Sequence, residues 1–81
     1  MEWVEVVERT ASYIKLRYYP EQNAAIGEYG EVTYFFLSGK WVFDKIHDGY
    51  PRNYAMHACN FARLRYEKGE EIPRTGLVGW Y

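Results

Sequence analysis

The chain has 81 residues, a formal net charge of −1 from ten basic and eleven acidic side chains, and three Trp, nine Tyr and four Phe. A chain of this length makes one domain, residues 1–81, burying only about 60–65% of its unfolded surface, so the core must be dense in aromatic groups. The single cysteine, Cys59, excludes a disulfide-framed secreted domain, and the longest uninterrupted apolar run, Tyr34 to Leu37, excludes a membrane span.

The opening Met-Glu-Trp-Val-Glu-Val-Val-Glu is acidic and alternating, without the basic and apolar blocks of a signal peptide, so a cytoplasmic location is expected. Trp3 to Arg9 and Ser12 to Tyr19 both alternate as strands do, and Arg-Thr-Ala-Ser between them is short enough for a hairpin. On the second strand Ile14, Leu16 and Tyr18 share one face, and Tyr13, Lys15, Arg17 and Tyr19 the other. A three-residue loop, Thr10 to Ser12, sets Val6 opposite Leu16, Val4 opposite Tyr18 and Glu5 opposite Arg17, which satisfies core and charge together.

Pro20-Glu-Gln-Asn breaks the second strand. A third strand then runs to Leu37, with Gly27 or Gly30 available for a bulge. A two-residue turn at Ser38-Gly39 leads into a fourth strand, Lys40 to Ile46, which Asp48-Gly49-Tyr50-Pro51 stops. In that register Tyr34, Phe36, Trp41 and Phe43 share one face and Phe35, Leu37 and Val42 the other. From Pro51 the period changes to 3.6, which predicts a helix over residues 53–68 with Gly69 as its stop and a stripe of Ala55, Ala58, Cys59, Ala62 and Tyr66. The small centre of that stripe lets a helix approach a sheet of large side chains. Leu77 to Tyr81 is a short apolar, strand-like tail. The expected architecture is α+β, in β-β-β-β-α order: an antiparallel sheet of about four strands with one helix packed on a face, followed by the tail.

No constellation of catalytic groups is legible. His57 and Cys59, two residues apart on a helix, point about 200° away from each other, and only His47 could reach the thiol through folding. A buried structural cysteine is the stronger reading. Two histidines and one cysteine lack metal-ligand spacing, so neither a metal site nor another cofactor is expected. Gly27-Glu-Tyr-Gly30 carries an acid where a phosphate cradle needs amides and a cation, and His47-Asp48 reads as a strand end. Residues 51–68 carry Arg52, Arg63, Arg65 and Lys68 against Glu67 alone, which reads more simply as a solvated helix face than as a phosphate site.

Two binding surfaces remain. The aromatic hairpin presents more apolar surface than one helix can cover, which points to a non-enzymatic, self-associating protein-binding module using Tyr34, Phe36, Trp41 and Phe43, with Trp80 and Tyr81 of the tail. The rival is a single-stranded nucleic-acid binder using Tyr13, Lys15, Arg17 and Tyr19, since alternating aromatic and basic groups on one strand face stack bases and contact phosphates. Against it stand the acidic pI, the opposing Glu2, Glu5 and Glu8 of the paired strand, and the absence of a helix-turn-helix or ribonucleoprotein motif.

Tyr54-Ala-Met-His-Ala-Cys59, Glu67-Lys-Gly-Glu70 and Gly76-Leu-Val-Gly-Trp-Tyr81 resemble the closing portion of short uncharacterised proteins of bacterial phages and mobile elements. The resemblance covers the C-terminal third. It implies a bacterial or phage origin and a small inhibitor of a host factor such as a defence enzyme, and it carries no catalytic residue.

Overall fold

The computed structural model of the chain describes residues 2–20, 29–45 and 53–78. Five strands, β1 (Glu2–Arg9), β2 (Tyr13–Pro20), β3 (Gly30–Phe35), β4 (Trp41–Lys45) and β5 (Thr75–Val78), form one sheet in the order β4-β3-β2-β1-β5. Every neighbouring pair is antiparallel. A single helix among the described residues, α1 (Asn53–Glu67), packs on one face of the sheet. The fold is thus α+β as the alternation predicted, with the C-terminal strand pairing on β1 as a fifth member.

The first hairpin has the anticipated register through its centre, with Val4 opposite Tyr18, Glu5 opposite Arg17 and Val6 opposite Leu16. Beyond Val6 the register slips by one residue, so Glu8 faces Lys15 and Arg9 faces Ile14, and Val7 is the extra residue of a bulge. The slip shortens the loop. Thr10 N–H donates to the Tyr13 carbonyl at 2.9 Å, while Thr10 Oγ1 accepts from the amides of Ser12 and Tyr13 at 3.1 Å each, so backbone and hydroxyl close the turn together. Pro20 is the last residue of β2, buried opposite Glu2, and so lies within the strand it was expected to break. At a strand end its missing donor costs no ladder bond.

The second hairpin differs from expectation by two residues. Tyr34 pairs with Trp41, Thr33 with Val42 and Val32 with Phe43, and the loop is Phe36 to Gly39 rather than Ser38-Gly39 alone. Phe35 N–H donates to the Lys40 carbonyl at 2.8 Å and Gly39 N–H to the Phe35 carbonyl at 3.0 Å, with Gly39 at φ 72°, a left-handed conformation natural to glycine. Because the shift is even, Tyr34, Trp41, Val42 and Phe43 keep their predicted faces, whereas a bulge at Asp44 turns Lys45 from the Trp41 and Phe43 side to that of Glu31. At the other end of β3, Gly30 is needed for close approach, not for a bulge: any side chain there would collide with the ring of Tyr18.

Val4, Ile14, Leu16, Tyr18, Val32 and Tyr34 form the inner face of the sheet and are buried against Tyr54, Ala55, Ala58, Cys59, Phe61 and Ala62 of α1. The helix ends in a Schellman motif around Gly69, at φ 71°: Glu70 N–H donates to the Arg65 carbonyl at 2.8 Å and Gly69 N–H to the Tyr66 carbonyl at 3.1 Å. Ile72, in the link to β5, is also buried in this core.

Candidate functional site

The hairpin aromatics expected to form an exposed binding face are core instead. Tyr34 and Phe36 are buried, and Trp41 and Phe43 pack partly buried against the same cluster. Their cover comes from Tyr66 of the predicted helix stripe and from two residues outside it, Arg9 and Ile72. Tyr66 stacks on Phe36 with ring centroids 4.3 Å apart and 20° between planes, the Arg9 guanidinium lies 5.4 Å from the Phe36 centroid, and Ile72 fills the end of the layer. Tyr34 meets Phe36 edge-on at 5.9 Å, and burial raises the Tyr34 phenol above its ordinary pKa. Trp80 and Tyr81 lie outside the described residues, as do Gly27, His47, Asp48 and Pro51.

The opposite, outer face brings Tyr13, Lys15, Arg17 and Tyr19 together on β2, as their alternation predicted. All four are partly exposed. Pairing across the sheet adds residues that no single strand revealed. Trp3 aligns with Tyr19 and with Leu77, Glu5 with Arg17, Glu8 with Lys15, Glu31 with Arg17, Thr33 with Lys15, and Phe35 with Tyr13. On β4, Lys45 aligns with Glu31 and Val42 with Thr33. Leu77 and Val42 are 54% and 48% exposed, so this face keeps apolar groups in contact with solvent.

Its middle is charged, and the charges are matched locally. Arg17 Nη2 lies 2.9 Å from Glu31 Oε2 and its Nε donates to the same oxygen at 3.0 Å, with both side chains partly exposed, and that hydrogen bond raises the guanidinium pKa further. Arg17 and Lys45 both lie over the ring of Tyr29, at 4.3 Å and 4.1 Å from its centroid, and the Tyr19 hydroxyl donates to Glu5 at 3.4 Å. The hydroxyl of Thr33 donates to Asp44 at 2.7 Å, and a hydrogen bond to Glu8 raises the Tyr13 phenol pKa. Glu2, placed by the sequence with Glu5 and Glu8, is in fact buried on the inner face, because its parity is that of Val4.

Aromatic pairs flank this charged middle at both ends. Tyr13 and Phe35 are 5.8 Å apart between centroids at 57°, and Tyr19 and Tyr29 are 5.9 Å apart at 58°. Sequence reasoning missed Tyr29, Trp3, Glu31 and Lys45. The parity of Trp3 with Glu5 was a usable signal, whereas the placement of Tyr29 between two cations depends on which strands become neighbours.

The basic helix does not assemble a phosphate site among the described residues. Arg63 donates to Asn60 Oδ1 at 2.9 Å and pairs with Glu67 at 3.3 Å, while Arg65 donates to the Phe61 carbonyl at 2.8 Å and covers the Phe61 ring at 4.5 Å. Cys59 has no exposed surface, and burial pushes its thiol up to about 12. Between α1 and β5 an open groove of ≈ 500 Å³ is lined by the polar His57, Asn60 and Arg65 and by Phe61, Leu64, Leu77 and Val78. Among the described residues no three His, Cys, Asp or Glu side chains gather as a metal set, and no helix is long and apolar enough to cross a membrane. No protein family, curated protein or solved structure matches the chain.

Proposed function

We propose that the chain is a non-enzymatic protein-binding module and that its binding surface is the outer face of the five-stranded sheet. The observation that carries this reading is the composition of that face: two aromatic pairs and the exposed Leu77 and Val42 surround charges that are compensated within the chain. Three cations, Lys15, Arg17 and Lys45, stand against four carboxylates, Glu5, Glu8, Glu31 and Asp44. Such a face suits a protein surface offering apolar groups and both signs of charge, as interfaces do. It attracts a polyphosphate backbone poorly. With the C-terminal resemblance, the proposal extends to a bacterial or phage origin, a cytoplasmic setting and a host factor as target.

A single-stranded nucleic-acid binder is the second reading, favoured by the shared face of Tyr13, Lys15, Arg17 and Tyr19. Photo-cross-linking in a bacterial host separates the two. A photoreactive side chain introduced at Lys15 is compared with one at Met56, on the exposed side of α1. The expected product is protein, captured from the outer face only and little changed by salt. Captured nucleic acid that disappears steeply as salt rises would favour the second reading, and equal capture from the helix would remove the outer face as the site.

A further inference from the structure

One charged row of the outer face is complementary to itself, whereas the next, Val42, Thr33, Lys15 and Glu8, is not. Register places Lys45, Glu31, Arg17 and Glu5 in one row across β4, β3, β2 and β1, with charges that alternate plus, minus, plus, minus. We infer that two copies of the chain pack outer face to outer face about a two-fold axis that runs between β2 and β3, parallel to the strands. This rests on the reading of the outer face as the binding surface, and names a second copy as its occupant.

The symmetry does the matching. A rotation about that axis leaves each row at its own height and reverses its order, so Lys45 meets the second copy's Glu5, and Glu31 meets the second copy's Arg17. The same operation sets Phe35 on the second copy's Tyr13 and Tyr29 on the second copy's Tyr19. Each aromatic pair already in contact within one chain thereby becomes a four-ring cluster, one at each end of the charged rows. A row of like charges, or one of odd length, would oppose itself under this operation. An even, alternating row does not.

Sheets stacked face to face keep their strands within about 30° of each other, so the residues of β2 and β3, nearest the axis, stay most closely opposed despite the twist. Four strands spaced about 4.8 Å apart, overlapping for five or six residues, give a projected contact of roughly 400 Å² per copy. That is about half the standard 800 Å² per partner, so the dimer is expected to be reversible and no tighter than micromolar.

Sedimentation across a concentration series, with circular dichroism to confirm folding, tests the proposal through charge reversal at the two ends of the row. Glu5 and Lys45 are separated by two strands within one chain, so they meet only across the proposed axis. Glu5→Lys alone and Lys45→Glu alone should each weaken the dimer by about tenfold or more, through like charges brought together. An equimolar mixture of the two variants should regain association, because each supplies the sign the other lacks. The doubly reversed chain should also dimerise, although within one chain it sets Lys beside Arg17 and Glu beside Glu31. A protein that stays monomeric throughout, or a dimer indifferent to these reversals, would overturn the inference. If the monomer still cross-links another protein from Lys15, the outer-face reading survives and only the second copy is wrong; if that face captures nothing, both fall.

Discussion

Cys59 is fully buried on the sheet-facing stripe of α1, and burial, with a smaller contribution from Glu2, pushes its pKa from the ordinary 9.0 up to about 12. The folded state therefore holds the proton more tightly than the unfolded chain does. The associated stabilisation is complete below pH 9 and is lost progressively as pH rises towards 12. Cys59→Ala should lose stability less steeply over that interval, as measured by urea midpoints at stepped pH; parallel curves would show that the thiol does not ionise on unfolding. In native buffer the thiol should react slowly with a disulfide reagent and speed up in denaturant, and equal rates would contradict the packing. This much was legible in the sequence, since a cysteine on an alanine stripe at helical spacing has few places to go. The burial of Glu2 was written there too, in its parity with Val4.

Among the elements, α1 and the two hairpins carry different kinds of information. The helix approaches the sheet closely because Ala55, Ala58 and Ala62 have no bulk, all three being fully buried. Ala58→Leu or Ala62→Leu should therefore cost about 1–3 kcal/mol by overpacking. Leu37, at 90% exposed in the β3–β4 loop, provides the contrast: Leu37→Ser should change stability by no more than about 0.5 kcal/mol. Urea unfolding decides both, and an unchanged midpoint for the alanine variants would mean that the stripe is not an interface. Most faces survived the errors in register because a two-residue shift preserves parity, whereas the one-residue bulges at Val7 and Asp44 break the alternation, and the latter carried Lys45 to the outer face.

For the whole molecule, the decisive feature is the return of the chain to its start. β5 pairs with β1 so that Val78 lies opposite Glu2 and Thr75 opposite Glu5, and the Val6 amide donates to the Arg74 carbonyl at 2.8 Å. β1 is thereby an interior strand, and Gly76 lies against the Phe61 ring so closely that a side chain there would collide with it. Removing residues 74–81 should expose the edge of β1 and the Phe61 ring, lower the urea midpoint and promote aggregation, as followed by light scattering. A truncated chain as stable and monodisperse as the intact one would show that β5 adds nothing to the core.

Period two before Pro51 and period 3.6 after it determined the α+β class, the strand faces and the helix stripe, because those depend on geometry repeated along one segment. The neighbour of each strand did not follow from period. Only the tertiary structure decided that Arg9 and Ile72 would join Tyr66 of the helix stripe in the cover over Phe36 and its neighbours, burying Tyr34 and Phe36 and partly burying Trp41 and Phe43. The same pairing gathered Trp3, Tyr29, Glu31 and Lys45 around Arg17 and Tyr19 from three other parts of the chain. Alternation within a strand is a local property of the backbone, whereas a row across a sheet exists only once loops and core packing have chosen which strands lie side by side.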